Sequence, residues 1–397
     1  MRKLLLLATC VILSMNLSAK NEKTKKADEG FVFTTIKANP ITSVKNQNRS
    51  GTCWCFSTLG FLESELLKAG KGEYDLSEMF VVHKTMEDRA KNYVRYHGDN
   101  SFAAGGSFYD VMYCMNNYGL VPQEVMPGIM YGDTLPNHGE LDAVAEAYTK
   151  AIAKSNFKKL TPVWEKGLCS IYDTYLGKCP TKFTYKDVEY TPQSFAQSLG
   201  LNPDDYVSLT SYTHHPFYTK FSIEVQDNWR NAESYNLPLD ELMKVMDYAV
   251  NNGYTFAWGS DVSEDGFTRD GIAVMPEEKD GAEITGTDMA KWTKMTKKDK
   301  DKELTSRPLP EIKVTQEMRQ KAFDDWETTD DHGMQIFGIA KDQKGKPYFM
   351  VKNSWGTSSK YKGIWYASNA FVAYKTMNIL INKNAIPNDI RQKLGIN

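Results

Sequence analysis

Between Trp54 and Lys68 the apolar residues Phe56, Leu59, Leu62, Leu66 and Leu67 recur at steps of three and four, the period of a helix that buries one face. The spacing predicts an amphipathic helix over 54–68 that ends at Gly70. A second stripe, Leu239, Leu242, Val245, Met246, Ala249 and Val250, predicts another helix, stopped by Gly253 and followed by a strand over 254–258. Near the end the period changes. Residues 331–340 read DHGMQIFGIA, an apolar run of strand character; a Gly-containing turn at 344–347 and a second apolar run at 348–352 complete a predicted hairpin. Around these elements the chain divides into an extended leading segment (31–50), a helical region (51 to about 130), a Tyr- and Lys-rich stretch with scattered Pro (131–235), a sheet-forming region (236–385) and a final arm (386–397). The alternating charges of 297–303 predict a solvated loop. No internal repeat is visible.

Residues 1–19 follow a different logic. Arg2 and Lys3 precede an apolar stretch from Leu4 to Leu13, and Leu17-Ser18-Ala19 offers a cleavage site before Lys20, the layout of a secretory signal peptide. Export to a periplasmic or extracellular space is therefore expected; Thr9 and the short apolar run before Cys10 fit a lipoprotein signal poorly. No later stretch reaches the roughly 18 continuous apolar residues of a membrane helix.

With 397 residues, 41% hydrophobic and 12% aromatic, the chain has the material for one large or two smaller cores. Its net charge of −2, which becomes −4 once Arg2 and Lys3 leave, offers no basic field for nucleic acid. Five cysteines then remain: Cys53, Cys55, Cys114, Cys169 and Cys179. Cys169 and Cys179 either close a loop or stay as two unpaired thiols. His214-His215 has no Cys or carboxylate at ligand spacing and reads as turn and packing, so no metal and no cofactor is expected.

The chemistry gathers at Gln47 to Ser57, QNRSGTCWCFS. Cys53 precedes the first predicted helix, where unpaired N–H groups and the macrodipole favour a thiolate. Gly51 lets a substrate backbone come close, and the Gln47 carboxamide is placed to share an oxyanion with the Cys53 amide. The hairpin supplies what a thiolate needs. His332 opens its first strand and Asn353 ends its second, so pairing brings them together, and an asparagine that accepts from one ring nitrogen leaves the other for the thiol. Trp355 stands where it would cover that bond from water. His332 lies 279 positions after Cys53, about twice the 130 to 150 typical of papain-like enzymes, which implies a large insertion between the two halves of the site.

The order of Gln47, Cys53-Trp54, His332 and Asn353-Ser354-Trp355-Gly356 resembles the papain superfamily, and the insertion and terminal extension resemble its bleomycin hydrolase and aminopeptidase C branch. YDLSEMF from Tyr74, GGSFYDVMYCMNNYGLVPQEVMP from Gly105, the stretch from Tyr235 to Phe267 and DDHGM from Asp330 extend the likeness. It departs at Ser50, where many papain-like enzymes carry a disulfide cysteine, and at Cys55, a position usually small or apolar.

The resemblance implies a papain-like α+β fold of two lobes, helical and β-sheet or barrel, enlarged by the insertion. It implies a cysteine aminopeptidase acting on short peptides through a Cys53–His332–Asn353 triad, Gln47 and a thioester. It implies that Gly105 and Gly106 offer backbone hydrogen bonds to an extended substrate, and that Trp355 flanks the site. It further implies that the last residues run into the cleft, with Asn397 meeting the substrate amine, and that six copies form a ring. Two other readings stand beside it: an endopeptidase if the arm does not gate the cleft, and an exported peptide-binding or thiol-redox protein on the same scaffold.

Overall fold

The computed structural model describes residues 30–277 and 295–397; the leader read in residues 1–19 lies outside them. In chain order, β1 (Thr34–Ala38) leads into α1 (Cys53–Lys68), α2 (Glu78–Arg95), α3 (Phe108–Asn117), α4 (Gly139–Ala153) and α5 (Val163–Leu176). A small hairpin, β2 (Phe183–Tyr185) with β3 (Val188–Tyr190), precedes α6 (Pro192–Leu199). Three short strands follow, β4 (Tyr206–Thr210), β5 (Lys220–Ser222) and β6 (Glu233–Asn236), then α7 (Leu239–Asn251), β7 (Phe256–Ser260) and β8 (Ile272–Ala273). The last part holds α8 (Lys297–Ser306), α9 (Gln316–Asp324), β9 (His332–Lys341), β10 (Pro347–Lys352), β11 (Ile364–Ser368), α10 (Asn369–Lys375), β12 (Thr376–Asn382) and α11 (Asn388–Leu394). Among the described residues no helix is long and apolar enough to cross a membrane.

One mixed sheet organises the molecule, in the order β5-β6-β4-β12-β7-β9-β10-β11-β8, with β1 also paired to β9. Alternation along each strand splits the core in two. Phe256 and Trp258 of β7 face one side and Ala257 the other; Ile379 and Ile381 of β12 part from Leu380 in the same way. One core lies between the sheet and α1 to α6, built on Leu59, Phe61, Leu62, Leu66 and Tyr172. The other lies between the sheet and α7, α10 and α11, where Leu242, Val245 and Met246 meet Phe371, Ile390 and Leu394. Each such buried side chain contributes about 1.5–3 kcal/mol relative to exposure. The 131–235 stretch serves both lobes: α4 to α6 enlarge the helical core, whereas β4 to β6 widen the sheet.

A buried polar seam locks α1 to the sheet. Glu63, fully buried, accepts from Thr42 Oγ1 at 2.5 Å and from the Leu76 amide at 2.9 Å, and pairs with Lys45 at 3.3 Å. Lys352 of β10 donates to the same Thr42 hydroxyl at 2.9 Å, and Gln335 of β9 donates to Ser64 at 2.8 Å. This seam holds the second half of α1 against the strand that carries His332.

The charged run at 297–303 is helical, not a loop. Thr296 caps α8 by accepting from the Asp299 amide, and the mixed charges leave Asp301 and Leu304 buried, with Asp301 accepting from the Arg269 amide at 3.1 Å. Tertiary partners for Lys297, Lys300, Asp301 and Leu304 outweigh a polar composition.

Candidate active site

The cleft between the lobes has a volume of about 650 Å³, and Cys53, Gly106, Asp227, Asp330 and His332 are among the residues that line it. Cys53 is the first residue of α1, with Trp54 to Leu66 buried behind it. The Gly333 and Trp54 backbone N–H groups hydrogen-bond to its sulfur. Burial pushes the thiol up to about 11, and Asp330 and Asp227 add to the rise, against those two amides. Helix position alone led to the expectation of a thiolate; the enclosed setting of the sulfur opposes it.

The hairpin of β9 and β10 forms as its pattern predicts and brings His332 to Asn353. His332 Nε2 lies 2.8 Å from Asn353 Oδ1, both side chains buried, leaving Nδ1 as the other ring nitrogen. Burial lowers the imidazole to about 4, although the bond to Asn353 works in the opposite sense. Trp355 lies over the ring at 4.7 Å between centroids and is itself held edge-on by Phe267 and Trp365. The tryptophan screens the His332–Asn353 bond from water.

Gln47 is buried in the wall beside this pair. Its Oε1 accepts from Ser354 Oγ at 2.6 Å, its backbone N–H donates to the Ser354 carbonyl at 2.8 Å, and Nε2 gives one hydrogen to the Ser50 carbonyl at 2.9 Å. The second Nε2 hydrogen remains for an oxyanion.

Gly106 fits against Trp54: a β-carbon there would sit 2.8 Å from the indole, so only glycine lets the backbone run along the cleft floor. Gly105 has a different neighbour. A β-carbon on Gly105 would overlap the carboxylate of Asp227, which lies across it from the segment between β5 and β6. That segment is pinned. Arg89, fully buried on α2, donates to the Gly105 carbonyl and to the Gln226 carbonyl and reaches Asp227 Oδ1 at 3.3 Å. Arg230 pairs with Asp110 at 2.7 Å and Asp88 at 2.9 Å.

Asp330, two positions before His332 in sequence, also lines the cleft. Desolvation and the charges of Asp227 and Asp331 push it up to about 7. Its side chain stays open to the cleft's water, so the like charges are the firmer cause. Asp227 went unnoticed in the sequence because it stands 122 positions from Gly105, in a stretch with no motif. Asp330 was visible only as a neighbour of His332.

The final arm takes another place. Ile390 and Leu394 of α11 are buried in the core on the far side of the sheet from α1, and Lys244 of α7 pairs with Asp389 at 2.7 Å. Asn397 is exposed and does not line the cleft, which corrects the docking that the resemblance implied. Apolar residues at 386, 390 and 394 have more to gain in that core than in a polar groove.

Cys169 and Cys179 are both free thiols, as are Cys55 and Cys114. Two groups of metal-ligand type also form among the described residues: His83 with Cys169 and Asp173, and His214 and His215 with Glu224. The reading of His214-His215 as lacking a carboxylate is thus corrected. Glu224 sits 3.1 Å and 2.8 Å from their Nε2 atoms, while the rings stack on Phe323 and Phe221. Both groups draw ligands from separate elements, which residue spacing could not reveal.

Comparison with known proteins identifies the family and the fold. The model of the Peptidase C1-like family matches residues 3–278 and 281–396. Aminopeptidase C of Lactobacillus helveticus is 23% identical over 410 aligned residues, covering 90% of this chain and 85% of that protein. Aminopeptidase C of Streptococcus thermophilus is 24% identical, covering 90% and 84%. The mitochondrial cysteine proteinase 1 of Saccharomyces cerevisiae (strain YJM789) is 21% identical, covering 98% and 84%. Among solved structures, PepW from Lactobacillus rhamnosis HN001 superposes with a TM-score of 0.66 at 21% identity, over 91% of this chain and 84% of that one. At that identity the likeness is one of fold.

Proposed function

The chain belongs to the Peptidase C1-like family and is a cysteine peptidase with a papain-like α+β fold, and from that premise we propose that it is an aminopeptidase working through Cys53, His332 and Asn353. The observation that carries the reading is the His332 Nε2–Asn353 Oδ1 bond of 2.8 Å at the edge of the cleft that Cys53 lines. It fixes the ring and leaves Nδ1 for the thiol.

In this mechanism the proton rests on sulfur until substrate arrives. Nδ1 of His332 takes it as sulfur bonds to the peptide carbonyl carbon. The oxyanion is held by the Cys53 N–H and the free Nε2 hydrogen of Gln47. The C–N bond breaks as His332 returns the proton to the leaving amine, and a water deprotonated by the same ring then splits the thioester. Asn353 orients the imidazole throughout, under Trp355.

The restriction to amino ends rests on the two acids. Asp227, laid over Gly105, narrows the groove on the side where further N-terminal residues of a substrate would lie, and Asp330 faces the same space. A free α-ammonium is the group such a corner accepts; an acylated amine is not. That the two bacterial relatives named above are aminopeptidases C supports the reading. The arm at 386–397 plays no part in it. An endopeptidase is the second reading, favoured by the same displacement of the arm from the cleft.

Two variants test the proposal. Cys53→Ala should abolish hydrolysis of aminoacyl fluorogenic substrates in a protein that still folds, and undiminished turnover would remove Cys53 from the mechanism. Asp227→Asn should lower kcat/KM for free-amine substrates by about 10- to 100-fold, the worth of one charge-assisted hydrogen bond, and leave N-acetylated peptides unchanged. Equal cleavage of free and acetylated peptides by the parent protein would favour the endopeptidase.

Export belongs to the same proposal, resting on residues 1–19; a mature protein beginning at Lys20 is the expected result of N-terminal sequencing. A ring of six copies, implied by the resemblance alone, is checked by light scattering after size exclusion.

A further inference from the structure

The helical lobe carries a group of side chains that the peptidase reaction does not use. His83 and Glu87 stand one turn apart on α2, Cys169 and Asp173 one turn apart on α5, and these pairs face each other across the helix contact. Cys179 follows the end of α5, where Gly177 at φ 85° turns the chain back, and its thiol interacts with the His83 ring. The nitrogen, sulfur and oxygen ligand atoms of His83, Cys169 and Asp173 all lie within 4.8 Å of one another.

Three observations favour a cation over a simple ion pair. His83 is fully buried, an expensive place for an imidazole without committed partners. Its Nδ1 lies 2.9 Å from Glu87 Oε1 yet makes no hydrogen bond in this geometry, while Nε2 meets Asp173 Oδ1 at 3.0 Å. Cys169 Sγ points at two carboxylates at once, 3.3 Å from Glu87 and 4.0 Å from Asp173, a poor setting for a thiol with one weak hydrogen to give.

We propose that His83 Nε2, Cys169 Sγ, Asp173 and Cys179 Sγ bind one borderline-soft divalent cation, zinc being the natural probe, with Glu87 accepting from Nδ1 to hold the ring. Two thiolates, an imidazole and a carboxylate are a tetrahedral zinc set, and a carboxylate behind the histidine is the usual outer partner. Neighbouring ligand atoms in such a site stand about 3.3–3.8 Å apart, from the bond lengths and tetrahedral angle. His83 Nε2–Asp173 Oδ1 at 3.0 Å and Cys169 Sγ–Asp173 Oδ1 at 4.0 Å straddle that range, whereas Cys179 Sγ lies outside the 4.8 Å group and has to move in to complete the set. Binding displaces the imidazole proton and both thiol protons, and it ties α5, within the 131–235 stretch, to α2 of the nucleophile's lobe. The sites are separate, so this proposal does not depend on the peptidase reading.

The test uses the full chain with Cys53→Ala, which removes the catalytic thiol as a competing ligand. After zinc loading and gel filtration, elemental analysis should find about one equivalent retained. Cobalt in its place should give near-ultraviolet thiolate-to-metal absorption. Adding Cys169→Ser and Cys179→Ser should abolish both signals. Asp173→Asn, which keeps the thiols and guards against misfolding of the serine variant, should weaken affinity at least tenfold while the thiolate band persists. Failure to retain metal, a cobalt spectrum indifferent to Cys169 and Cys179, or a Cys169–Cys179 disulfide in the purified chain would overturn the proposal.

Discussion

The carboxylate of Asp227 lies directly over the Cα of Gly105, so close that a single methyl group on the glycine would overlap it. The contact joins a residue after α2 to one between β5 and β6, and Arg89 holds both. Gly105→Ala should therefore displace Asp227 and raise KM for free-amine substrates about tenfold with kcat little altered, the cost of losing roughly one charged hydrogen bond. Steady-state kinetics on aminoacyl substrates would show it; an unchanged KM would mean the carboxylate does not meet the substrate.

The final arm should matter to stability instead of specificity. Ile390 is fully buried in the core with Val245 and Phe371, so Ile390→Ala should cost about 2–4 kcal/mol in urea unfolding. The ratio of activity on free and acetylated peptides should not move. A change in that ratio would return the arm to the cleft.

Gln47 is placed to donate its one uncommitted hydrogen to an oxyanion. Gln47→Ala should lower kcat by about 10²–10³ with KM nearly constant, the loss expected for one such donor. A matching rise in KM would instead mark it as a ground-state contact.

Acid should weaken the fold through buried imidazoles. Burial lowers His332 and His138 to about 4 in the folded chain, against about 6.5 unfolded. The unfolded chain takes up protons first, so the stability these neutral rings confer is complete above pH 6.5 and lost as pH falls toward 4. The loss is of order 3 kcal/mol for each ring. A His138→Gln variant should show a shallower fall in Tm between pH 6.5 and 4 than the parent, and an identical slope would exclude that ring as a cause.

Glu63 satisfies Thr42, Lys45 and the Leu76 amide with no exposure to water. Glu63→Gln should destabilise by about 1–3 kcal/mol, because Thr42 or the Leu76 amide loses a buried acceptor while Lys45 keeps Asp75 and Glu78. Chemical denaturation measures it directly.

The sequence determined the elements whose signal is local. The stripe from Phe56 to Leu67 marks α1, and the Gly-turned apolar runs mark β9 and β10, so Cys53 at a helix start and the meeting of His332 with Asn353 were legible before any fold was known. Periodicity and hairpin pairing act over a few residues, and they suffice for that much. Tertiary structure alone decided the rest. Asp227 reaches Gly105 because β5 and β6 join the sheet beside β4, and Cys169 reaches His83 because α5 packs on α2. The arm carrying Asn397 settled on the far core because three apolar side chains found more burial there. Charge, ligand sets and docking depend on which distant surfaces share a cavity, and no spacing along the chain encodes that.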